Sequence, residues 1–133
     1  MRSSIHLAVA ATAAALSGFA APAMAQTAVS FTAGQAAGGE APYLQRCSSC
    51  HGDTLQGLLE APALTGRPFD VWRGKPVKNM YDFMVEYMPQ DEPGKLAPQT
   101  YADILAFILG FNKVPPGEKP LNGPPPADQI IPK

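Results

Sequence analysis

The stretch Cys47-Ser48-Ser49-Cys50-His51 decides how the chain is read, because it holds both cysteines of the 133-residue sequence and one of its two histidines. The spacing is C-x-x-C-H, the arrangement of covalent haem attachment. The spacing has a physical reason. Two thiols three residues apart at a helix end reach both vinyl groups of one porphyrin, and thioether bonds then hold the ring plane with the adjacent imidazole under the iron. A simple disulfide or a thioredoxin-like pair gives His51 no task, and the latter expects a strand before its helix. A zinc site wants about four Cys, His or carboxylate ligands, and the sequence has no second cysteine–histidine pair.

Working outward toward the N-terminus, Arg2 precedes an apolar, alanine-rich run from Ile5 to Ala21, and Ala23-Met24-Ala25 supplies a small-x-small pattern. Residues 1–25 therefore read as an export signal cleaved before Gln26. The competing reading is a retained membrane anchor. His6, Ser17 and Gly18 interrupt the run, and alanine is a weak spanning residue, so no membrane span is expected after cleavage. The remaining 108 residues make one small domain, near the size at which a core is only just sufficient without a staple or cofactor. A buried prosthetic group would supply the missing apolar surface. Without the leader, nine basic side chains face eleven acidic ones, a formal charge of −2, and His51 is the only histidine left. Nothing in that balance calls for nucleic acid, which selects a basic face.

The pattern predicts a first helix from Thr32 to about Cys47, with Thr32 and Gln35 at capping-box spacing and Phe31 at the staple position. Residues 52–78, rich in Gly, Pro and Thr, read mostly as loop. Met80, Phe83, Met84, Tyr87 and Met88 then recur at helical period behind Asn79 as N-cap, and Pro89 ends that helix. A last helix is expected from Pro98 to Leu109, with Tyr101, Ile104, Leu105 and Ile108 on one stripe and Gly110 as its stop. The tail beyond Lys113 carries seven prolines. It is expected to be extended over the surface or disordered, and to build neither ladder nor helix.

A haem iron held by one histidine takes a second axial ligand, and the candidates are Met80, Met84 and Met88. Methionines at helical spacing are usually core filling, which suits Met80 and Met84. Met88 stands where Pro89 breaks the helix, at the start of a loop able to fold over a flat cofactor, and is the ligand expected.

These residues resemble class I cytochrome c, and within it the small bacterial cytochromes serving periplasmic dehydrogenases. The resemblance runs from about Phe31 to Leu121. It is carried by Gly39-x-x-x-Tyr43, the haem motif, Ala61-Pro62-Ala63-Leu64-x-Gly66, Trp72, Met88-Pro89 with Pro93-Gly94, and Tyr101-Ala102-Asp103-Ile104-Leu105-Ala106-Phe107. It implies an all-α fold, residues 26–113, in which the first and last helices cross near a right angle, with residues 114–133 as the tail. Gly39 would lie at the crossing, and Tyr43 and Phe107 would pack there. By the same resemblance the Pro62 carbonyl accepts a hydrogen bond from the proximal imidazole, beside the alternative that this proline only stiffens its loop. Leu64 would face the porphyrin. Trp72, Arg73 and Lys75 would meet the haem propionates, or else form a solvated basic loop around one core tryptophan.

The function implied is periplasmic electron transfer by one covalent haem c, with His51 and Met88 as iron ligands and no enzymatic activity. The donor would be a periplasmic dehydrogenase, for example a quinoprotein, and the acceptor an oxidase or another cytochrome. The chain would serve as free carrier or as a dehydrogenase's cytochrome subunit. The alternative is a ligand-binding or sensor cytochrome whose Met88 is displaceable. Departures from the family pattern are Ala97 at a helix N-cap and no lysine ring at the haem edge, which argues against an acidic docking face on the partner.

Overall fold

The computed structural model describes residues 26–133. The expected export signal, residues 1–25, lies outside the described residues. The chain enters its first helix, α1 (Ala33–Gly38), through Thr32, whose backbone is extended and whose Oγ1 accepts from the Gln35 amide at 3.0 Å. Phe31 before it is fully buried. The reciprocal half of a capping box does not form. Gln35 instead donates from Nε2 to Asp103 Oδ1 (2.8 Å) and to the Leu121 carbonyl (2.7 Å), and accepts from the Leu121 amide (2.8 Å).

The first helix breaks at Gly39, so that α1 is followed by α2 (Glu40–Arg46) and the single turn α3 (Ser48–His51). The break lies where the last helix, α6 (Pro98–Phe111), presses closest. A Cβ on Gly39 would overlap the Asp103 carbonyl and stand 3.0 Å from the Phe107 Cβ. One helical turn on, Tyr43 and Phe107 pack with ring centroids 5.1 Å apart. The structure is thus mainly α-helical, its N-terminal helices packed on its C-terminal helix through Gly39, as the resemblance implied.

After the loop from Gly52, which holds the short α4 (Arg67–Asp70), comes α5 (Val77–Tyr87). It starts earlier than expected, with Pro76 rather than Asn79 at its cap and no side-chain hydrogen bond there. Burial explains the shift. Val77, Met80, Tyr81 and Met84 form the inward stripe, while Phe83 and Tyr87, expected on it, are exposed. Helix α6 likewise runs past its expected stop, because Gly110 serves contact instead of termination: a Cβ there would meet Ala36 Cβ at 3.3 Å and Phe31 at 3.7 Å. The helix ends at Asn112, whose Nδ2 donates to the Ile108 carbonyl at 2.9 Å, and Lys113 turns away with φ of 63°.

The tail is extended and drawn across the surface, and it also corrects the expectation that it builds no ladder. Its proline-free segment holds β2 (Gln129–Ile130), which pairs parallel with β1 (Thr27–Ala28) in the register Thr27 to Gln129 and Ala28 to Ile130. Leu121 and Ile131 are fully buried. The Gly74 amide donates to the Ile131 carbonyl (2.7 Å) and the Ile131 amide to the Lys75 carbonyl (3.0 Å), so the tail straps the Thr27–Ala28 segment to the mid-loop. Among the described residues no helix is long and apolar enough to cross a membrane.

Candidate functional site

Helix α2 delivers Cys47, whose amide donates to the Tyr43 carbonyl at 2.8 Å. Its backbone leaves helical geometry (φ −125°), and α3 follows at once, the His51 amide donating to the Cys47 carbonyl at 2.9 Å. Cys47 and Cys50 thus stand one turn apart on neighbouring positions of a helical surface. Cys47 is half-buried, Cys50 exposed, and both are free thiols. Burial is the main cause that pushes the Cys47 thiol up to about 11, against the lowering effect of Arg46. A thiol–disulfide catalyst needs the opposite shift.

His51 is buried, and its Nδ1 lies 2.8 Å from the Pro62 carbonyl. A carbonyl only accepts, so Nδ1 carries a proton, and in the neutral imidazole Nε2 then presents a lone pair. The loop is brought back to the motif by backbone bonds. The Gly57 amide donates to the His51 carbonyl (2.8 Å), Leu58 to Cys50 (3.0 Å), and Leu64 to Leu55 (2.8 Å). Gly57 (φ 76°) is required in this return, since a Cβ would stand 2.6 Å from the Ala63 nitrogen and 2.7 Å from the Ala61 oxygen. The buried Tyr43 hydroxyl donates to the Gly52 carbonyl at 2.7 Å, directly after His51. Burial raises that phenol's pKa, keeping it a donor.

Met80 and Met84 lie in the core, whereas Met88 is half-buried at the end of α5. There its backbone turns extended (φ −127°, ψ 150°) and its carbonyl accepts from the Tyr101 hydroxyl at 2.7 Å. Leu64 is half-buried against the core, its carbonyl accepting from Asn112 Nδ2 at 2.8 Å. Trp72 is half-buried in a row of tilted rings, 5.7 Å from Phe83, which is 4.9 Å from Tyr87, the residue before Met88. The Lys75 ammonium stands 5.8 Å from the Trp72 ring.

Arg73 is already engaged by protein. Nε donates to Asp70 Oδ1 (3.0 Å), Nη2 to the Asn112 carbonyl (2.9 Å) and Nη1 to the Pro132 carbonyl (3.3 Å), with the guanidinium 5.1 Å from the Phe69 ring. It braces loop, last helix and tail. Asn112, the partner of the Tyr101 hydroxyl and the distant partners of Gln35 escaped the sequence reading. An Asn in the last turn of an amphipathic helix was the only available signal, and it says nothing of a distant partner.

The donor set fits a haem: two free thiols one turn apart, a buried imidazole with its tautomer held, and a methionine released from its helix beside exposed aromatic surface. It does not fit a polydentate metal centre, since no cluster of three or more His, Cys, Asp or Glu is set to hold an ion among the described residues.

The profile of the family described as cytochrome c oxidase, cbb3-type, subunit III, matches residues 34–108. Among solved structures, the crystal structure of the sulfane dehydrogenase SoxCD from Paracoccus pantotrophus is similar, at 25% identity and a TM-score of 0.49. That match covers 66% of this chain and 51% of the other, so the chain spans about half the length of the structure it matches. No curated protein matches the chain.

Proposed function

Because the chain belongs to the c-type cytochrome family described as cytochrome c oxidase, cbb3-type, subunit III, we propose that it is a periplasmic one-electron carrier. In this reading one haem would be held covalently through Cys47 and Cys50, with His51 and Met88 as the residues that hold its iron. The observation that carries the reading is the His51 to Pro62 hydrogen bond, which leaves Nε2 free inside a C-x-x-C-H turn.

When bound, haem supplies reversible ferric–ferrous chemistry, one electron at a time. The chain's own residues do the rest. The Pro62 carbonyl draws on the Nδ1 proton, which orients the imidazole and raises its basicity as a ligand. Met88 offers a neutral thioether, which favours ferrous iron and a raised potential. With His51 and Met88 both holding the iron, no position would remain on the metal for a substrate, which suits a carrier rather than an enzyme. Leu64 and Trp72 would line a bound haem, and Trp72 with Lys75 would meet its propionates. The engagement of Arg73 with Asp70, Asn112 and Pro132 suits a bracing role behind that loop more than direct contact.

The proposed donor is a periplasmic dehydrogenase, a quinoprotein among the candidates, and the acceptor an oxidase or another cytochrome. Contact would be transient and small, at the haem edge. Export by residues 1–25 places the exchange in the periplasm.

The test addresses the ligand set. A methionine sulfur on ferric iron gives a weak near-infrared charge-transfer band. That band should be present in the oxidised protein, lost in Met88→Ala, and retained in Met80→Leu and Met84→Leu. Loss in a core variant with retention in Met88→Ala would move the ligand into α5.

A further inference from the structure

The loop that follows Met88 is weakly held. Residues 90–95 are all exposed, and the loop's own backbone supplies only the Glu92 amide to Pro89 (3.0 Å) and the Lys95 amide to Glu92 (3.3 Å). At its start the Tyr101 hydroxyl grips the Met88 carbonyl. Among the described residues, one side chain of another element reaches into the exposed stretch. It is Arg46, the last residue of α2 and the one directly before Cys47. Its Nη2 meets Glu92 Oε2 at 2.6 Å and stands 3.9 Å from Asp91 Oδ2.

The pair is a poor stabilising device. Both carboxylates are mostly exposed, so solvent screens them. The Arg46 Nε is buried without an acceptor, which carries a cost. What the pair does have is position, since it joins the turn bearing Cys47, Cys50 and His51 to the loop bearing Met88. We propose that Arg46 is a positioning residue, whose ion pair with Glu92 holds the Met88 loop closed over the iron side of the molecule. The proposal rests on Met88 as the sixth ligand. Without the pair, the segment after Pro89 has no tether before Leu96, and Met88 departs more often. A competing external ligand then finds the open state more populated and binds with higher apparent affinity.

Imidazole titration of the ferric holoprotein at neutral pH and low salt measures this opening. Arg46→Gln and Glu92→Gln should each raise the apparent imidazole affinity about two- to five-fold, the range available to a partly screened ion pair. The double variant should go no further than either single, because both remove one interaction. Molar salt should bring the parent toward the variants while leaving the variants nearly unmoved. The near-infrared band should persist in all three variants, and their melting temperatures should stay close to the parent's. Unchanged imidazole affinity in both single variants would overturn the proposal while leaving Met88 as ligand. So would effects of the two singles that multiply in the double, or melting temperatures that fall with no change in imidazole affinity. Absence of the band from the parent itself would overturn the ligand reading, and the proposal with it.

Discussion

At the scale of single residues, the site is a set of hydrogen bonds that hold His51 and its surroundings in one state. Nδ1 must donate because Pro62 offers only a carbonyl, and the backbone that follows is gripped by Tyr43 through the Gly52 carbonyl. Gly52 adopts φ of 77°, a conformation other residues take at a cost, so the grip acts on a turn that only glycine takes easily. Tyr43→Phe removes one of two donors to this buried carbonyl and leaves the Leu55 amide, at 3.2 Å, as the other. Urea unfolding of the holoprotein should show a loss of about 0.5 to 1.5 kcal/mol, and an unchanged midpoint would mean that the Leu55 amide alone satisfies the carbonyl. The C-x-x-C-H motif was legible because local spacing alone creates it. The tautomer of His51 was not derivable from spacing, since it depends on a loop that leaves at Gly52 and returns through three backbone bonds to Cys50, His51 and Leu55. Gln35 shows the same limit: its spacing from Thr32 suggested a capping box, yet a tail 86 residues away in sequence recruited its side chain.

At the scale of elements, α1 and α2 meet α6 where neither side has room to spare. The Gly39 position sits against the Asp103 carbonyl, backbone that has no rotamer to escape into. Gly39→Val should therefore destabilise by about 1 to 3 kcal/mol or more, read as a lower thermal midpoint, with the haem spectrum disturbed because Cys47 hangs on the end of α2. An unmoved midpoint would place the crossing elsewhere. Helix existence followed from apolar period, but boundaries did not, and the two errors have one cause. Asn79 and Gly110 have the intrinsic chemistry of a cap and a stop, while Val77 and the close approach of Ala36 to Gly110 respond to packing. Where a buried contact is at stake it outweighs a few tenths of propensity. Phe83 and Tyr87 on the outer face of α5 are a further instance, since period alone could not say which apolar stripe turns inward.

At the scale of the whole molecule, a small domain gains closure from its ends. The tail buries Leu121 and Ile131, pairs with Thr27–Ala28, and fastens Gly74 and Lys75. Seven prolines predicted an extended course, and the ladder formed where prolines are absent. The domain so closed presents a motif turn and a methionine loop whose clasping residues, Arg46 and Glu92, lie 46 positions apart in sequence. A carrier must exchange electrons without admitting small ligands, whereas a sensor must admit them. Carbon monoxide tests this difference on the intact ferrous protein, because it binds only where an axial position is vacated. The account predicts that the parent resists carbon monoxide at neutral pH while Met88→Ala captures it readily. Fast and complete binding by the parent would contradict it.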